Sequence, residues 1–136
     1  MNKYIKTTLI FAGIWFIAAL INGLLSGLSI IFLDAAENAN PGTLALSVIF
    51  SFVFSAPVVG LVWFITLMRQ IADKKGDALF QFALSTAFIC AFVAALIYTY
   101  TIGKEFMKAR YVVACCIVIS ALAAVLMFRK QIKTNE

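Results

Sequence analysis

The chain has 136 residues, of which 64% are hydrophobic and only 12% charged, with a formal net charge of +5, no histidine and three cysteines. An average globular domain is roughly 45–50% apolar and about 25% charged, and a soluble domain this short has too little interior to hide such a surplus. The same numbers exclude intrinsic disorder and a disulfide scaffold, which leaves an integral membrane protein.

Charged residues divide the chain into four long uncharged stretches, 7–33, 38–68, 78–103 and 111–128. About 20 apolar residues cross a hydrocarbon core of roughly 30 Å as a helix. With no water in that core, each span must satisfy its own backbone polar groups, which favours helices. A membrane barrel would instead need alternating segments of about 10 residues, and these runs are continuous. The fold class expected is therefore all-α, an integral membrane bundle of four transmembrane helices in a single domain, 1–136.

The first span, 7–33, follows Lys3 and Lys6. A secretory signal has an apolar region of about 7–15 residues and a small-residue cleavage site. This run continues through Leu33, so it reads as a retained helix. Asn38-Ala-Asn-Pro-Gly42 is turn chemistry, which starts the second span at Thr43 and carries it to Met68. Pro57, in mid-span, removes one backbone donor and crowds the preceding turn, so a kink is expected there. The link Arg69–Asp77 is short and polar, with Gly76 as a turn before the third span, 78–103. The fourth, 111–128, is just long enough to cross.

Orientation follows from lysine and arginine. With the N-terminus in the cytoplasm, the inside carries Lys3, Lys6, Arg69, Lys74, Lys75, Arg129, Lys130 and Lys133, against Lys104, Lys108 and Arg110 outside. That balance favours both ends inside. Tyr98, Tyr100, Tyr111 and Trp63 fall near the two membrane–water boundaries, where aromatic rings are favoured.

Burial from water does not drive helices together in lipid; close approach and interhelical hydrogen bonds do. Each span carries small residues four apart, on one helix face. These are Ala19, Gly23 and Gly27; Thr43, Ser47, Ser51 and Ser55; Ala83, Ala87, Ala91 and Ala95; and Cys116, Ser120 and Ala124. They fit packing within one bundle, or else a homo-oligomer or a docking surface. Asn22 is the most polar side chain deep in a span, at about the depth of Ser51 and Ser55. It is expected to hydrogen-bond across that interface, with a polar cavity as the alternative. Pro57 is either a static kink or a hinge beside a binding site.

No Asp, Glu, Lys or Arg lies inside the spans, which argues against a self-contained proton-driven pump. A Ser–His nucleophile pair is impossible without histidine, and no phosphate-binding loop is present. Asp73 and Asp77 flank two lysines and read as a solvated turn rather than a cation site. Cys90, Cys115 and Cys116 lack redox spacing and read as small buried apolar residues. No catalytic, cofactor-binding or metal-binding residue is assigned, and no enzyme activity is expected. Lys3, Lys6, Arg129, Lys130 and Lys133 suit contact with anionic lipid. The positive charge lies beside membrane spans and gives no reason to invoke nucleic acid.

The function expected from these features is non-catalytic and works through helix–helix contacts. The chain would be an accessory subunit or an immunity-type inhibitor of another membrane protein, with the bilayer and that protein, or a second copy, as partners. The alternative is a small transporter, a flippase component or an oligomeric pore. The expected location is the cell membrane, as a multi-pass protein; in a Gram-negative bacterium that means the inner membrane, since outer-membrane spanning proteins are barrels.

Overall fold

A backbone surrounded by hydrocarbon must bond to itself. In the computed structural model, which describes residues 2–33, 41–72, 76–101 and 110–134, it does so as helix throughout. The elements are α1 (Lys3–Leu33), α2 (Pro41–Ile71), α3 (Asp77–Tyr100), α4 (Arg110–Met127) and a short α5 (Arg129–Lys133). The first three are long and apolar enough to cross a membrane, and α4 carries a shorter apolar stretch, Tyr111–Met127. At 1.5 Å per residue the 18 residues of α4 measure about 27 Å. The chain is an all-α membrane-type helical bundle.

The helix ends depart from the apolar stretches for local reasons. Asn2 accepts a bond from the Tyr4 N–H at 2.9 Å, which caps α1 and starts it at Lys3 rather than Thr7. Long lysine side chains in that first turn can carry their charge to water. Pro41, read from sequence as part of a turn, instead opens α2 ahead of Thr43. A proline at the first helical position loses nothing, because its N–H would have no partner there anyway. At its other end α2 runs past Met68 to Ile71, so Arg69 and Gln70 are helical rather than linker. Gly76 takes φ 64°, a left-handed conformation that glycine adopts freely, and α3 follows directly. The third helix stops at Tyr100 instead of Gly103, with Thr101 already at φ −119°, ψ −94°; residues 102 and 103 lie outside the described residues.

Phe128 interrupts the last helix at φ −98°, ψ 15°, and its N–H turns back to the Val125 carbonyl at 3.2 Å. The tail beyond it, read from sequence only as a basic run, is the extra helix α5. Five residues cannot hold a helix alone. Packing holds it, since Ile132 is buried against the same core as Phe80 and Leu79 of α3.

α1 packs against α2 and α4, and α3 against α4 and α2, so α1 and α3 occupy opposite corners. The main core joins Ile10, Phe11, Ile14 and Ala18 of α1 to Val62 of α2, Ala83 and Ala87 of α3, and Ala124 and Val125 of α4. A second cluster, Ile30 with Val113, Tyr98 and Ile117, closes the opposite end. Large apolar side chains such as Leu9, Phe16, Ile49, Phe54, Ile89 and Ile97 point outward, as a lipid solvent permits.

Candidate functional site

The small-residue faces come together inside this one bundle. A Cβ placed on Gly23 would lie 2.6 Å from Val48 Cα, and one on Gly27 would lie 2.7 Å from Leu44 Cδ1. The two backbones therefore approach as only glycine allows, and the Ser47 hydroxyl bonds the Gly23 carbonyl at 3.0 Å. Ala19 is fully buried, as are Ala83 and Ala124, while Ala87, Ala91, Ala95, Cys116 and Ser120 are also enclosed. Ser55 is half-buried and, among the described residues, bonds within its own helix, to the Phe52 carbonyl at 3.4 Å. The side chain of Thr43 lies outside the described residues. Of the three cysteines, Cys116 is buried and Cys90 half-buried. Cys115 corrects the expectation of burial: it is exposed, because the residue before Cys116 points about 100° around the helix.

Asn22 sits in the α1–α2 interface. Its Nδ2 donates to Ser51 Oγ at 3.0 Å, and Ser26 Oγ donates to its Oδ1 at 3.1 Å. About two turns away along α1, Trp15 Nε1 donates to the Phe52 carbonyl at 3.1 Å, with the two rings edge-to-face at 5.4 Å. The carbonyl that Pro57 deprives of its helical donor is that of Val53, and Phe52 is the residue just before it, at the edge of the disturbed turn. Pro57 itself is exposed and lies away from the interior.

The end of the bundle that gathers the basic residues holds a polar cluster that the sequence did not single out. Thr7 Oγ1 donates to Gln70 Oε1 at 2.7 Å, and Trp63 Nε1 donates to Thr8 Oγ1 at 3.1 Å. Thr66 and Gln70 are 0% and 2% exposed, and Thr66 Oγ1 and Gln70 Nε2 have no hydrogen-bond partner among the described residues. Gln70 was missed because it follows Arg69 and reads as linker. The available signal was its spacing, four residues from Thr66 and thus on the same face.

Lys3 and Lys6 lie on the first turns of α1 at this same end, with the Lys3 ammonium 5.2 Å from the Tyr4 ring centre. Arg69 lies over Phe82 at 4.9 Å. Lys133 pairs with Asp77 at 2.6 Å, and both Lys133 and Arg129 lie over Phe80 at 5.5 Å. Lys130 is exposed beside them. An open groove of about 380 Å³ runs between Leu126, Met127, Arg129, Lys130, Lys133 and Thr134.

Along α1 and α2 the two polar clusters are separated by the apolar core, with Ile10, Phe11, Ile14 and Ala18 on one helix and Val62 on the other. Among the described residues, no group of three or more metal-ligating side chains converges. The arrangement offers hydroxyl, amide and indole hydrogen bonds that hold helices together, and a cationic rim at one end. No family model, curated protein or solved structure matches the chain.

Proposed function

We propose that this chain is a non-catalytic, multi-pass membrane protein that works through helix–helix contact with another membrane protein, as an accessory subunit or an immunity-type inhibitor. The observation that supports it is the outward face of α2. Its most apolar window is 11% buried, against 33% for α1 and for α3. On that face Ala56 and Gly60 stand four apart, and a Cβ on Gly60 would meet nothing within 4 Å. Small residues at this spacing let a second helix approach closely. The stacked pair Phe50–Phe54 flanks them at 5.8 Å, with Leu61 and Phe64 exposed beyond. The small-residue faces of α1, α3 and α4 are enclosed, which leaves α2 as the helix with a small-residue face to offer.

The apolar core between the two polar clusters favours this reading over a conducting path within one chain. In the orientation we propose, α4 is a fourth crossing, both termini are cytoplasmic, and the basic end faces the anionic leaflet of the cell membrane. A photocrosslinking residue at Phe54 or Leu61, in cells, tests the proposal. A defined adduct with a second protein, absent when the probe is at Ile89 on α3, is the expected result. No adduct from either α2 position overturns the proposal. Adducts made only with further copies of this chain would replace it with an oligomeric pore.

A further inference from the structure

We propose that the groove at the α4–α5 junction is a binding site for one anionic phospholipid. The inference rests on the groove itself and is independent of the partner proposed for α2. Leu126 and Met127 form its membrane side and are 50% and 60% exposed, so they offer alkyl contact to an acyl chain. Arg129, Lys130 and Lys133 form the other side within little more than one helical turn. A ligand that fills this groove must carry negative charge directly beside hydrocarbon, which describes a phospholipid with an anionic headgroup.

The joint at Phe128 brings the two chemistries together. Its ring packs at Gly13, where a Cβ would lie only 2.7 Å from Phe128 Cζ, so the last apolar turn of α4 and the first basic turn of α5 are fixed against α1. Asp77 engages Lys133 from α3, and the Phe80 ring lies under Arg129 and Lys133. These contacts position two of the three cations before a ligand arrives. Lys130 is exposed and free to move onto a phosphate. Lys3 and Lys6 on α1 do not line the groove, which separates a built site from a diffuse positive surface.

The test uses the full chain purified in detergent, with equimolar phosphatidylglycerol and phosphatidylcholine added and the retained lipid counted by native mass spectrometry. One phosphatidylglycerol per chain, in roughly twenty-five-fold excess over phosphatidylcholine, is expected from Arg129 and Lys130 at about 1 kcal/mol each. A basic residue near the surface contributes roughly five-fold in affinity, so Lys130→Gln should reduce that excess about five-fold. The exposed position of Lys130 lets this variant fold normally. Arg129→Gln with Lys130→Gln should abolish the preference, whereas Lys3→Gln with Lys6→Gln should leave it intact. Equal retention of the two lipids overturns the proposal, as does an equal loss from the Lys3 and Lys6 pair.

Discussion

Asn22 donates its amide N–H to the Ser51 hydroxyl at 3.0 Å, and Ser26 returns a hydrogen bond to the Asn22 carbonyl oxygen at 3.1 Å. This ties the most polar side chain in the apolar stretch of α1 to α2. Interhelical hydrogen bonds in membranes average about 0.6 kcal/mol and reach roughly 1.7 kcal/mol. Asn22→Leu should therefore lower the thermal stability of the detergent-purified protein by an amount in that range. Ser51→Ala should do the same, and the double variant should lose less than the sum of the two. A wild-type melting temperature in Asn22→Leu would show that the bond contributes nothing.

Gly23 and Gly60 give opposite expectations for the same substitution. An alanine Cβ at Gly23 would meet Val48 Cα at 2.6 Å, backbone that can yield only if α1 and α2 separate. Gly23→Ala should cost about 1–3 kcal/mol, as overpacking typically does, and weaken the Ser47 bond to the Gly23 carbonyl as well. At Gly60 nothing lies within 4 Å, so Gly60→Ala should be neutral or stabilise the isolated chain by up to about 1 kcal/mol through helix propensity. Thermal melts of the two variants side by side check this. If Gly23→Ala is as stable as Gly60→Ala, the close approach of α1 and α2 is not required.

Trp15 supplies a donor to the Phe52 carbonyl in the turn ahead of Pro57. Pro57 takes the helical donor from the neighbouring Val53 carbonyl, so if the indole steadies the edge of that turn, the need for it falls when the proline is removed. Trp15→Phe should destabilise the protein by about 0.5–1.5 kcal/mol, the usual contribution of one hydrogen bond, and by less in a Pro57→Ala background. Thermal melts of the single and double variants measure that coupling. Strict additivity would mean that Trp15 and Pro57 act separately.

Hydropathy and charge spacing made much of this architecture legible. The long apolar runs marked the helices, and fourfold spacing marked the faces that Gly23, Ser51, Ala87 and Ser120 bring inward. Those signals are local and periodic. The pairing of Trp15 with Phe52 and the seat of the Phe128 ring at Gly13 were not legible, because each depends on the relative height and rotation of two helices. Gln70 was hidden for a different reason. Its polarity and its place beside Arg69 mark an interfacial residue, and only the extension of α2 to Ile71 turns it toward α1. Polarity reports what a side chain prefers, whereas the register of the helix decides where it points.

That buried amide yields an asymmetric prediction. Gln70 Oε1 accepts from Thr7 at 2.7 Å, while Nε2 is enclosed without a partner among the described residues. Removing Thr7 alone leaves the carbonyl of the amide unsatisfied as well, and an unmet buried polar group costs about 1–3 kcal/mol. Thr7→Val should therefore destabilise the protein by that amount. Gln70→Leu removes the enclosed amide entirely and offers an apolar side chain that is shorter but of comparable volume, so it should be close to neutral or stabilising. In combination with Thr7→Val it should rescue most of the loss. Thermal unfolding of the three variants distinguishes this from a simple attractive contact, for which Gln70→Leu would cost as much as Thr7→Val and would rescue nothing.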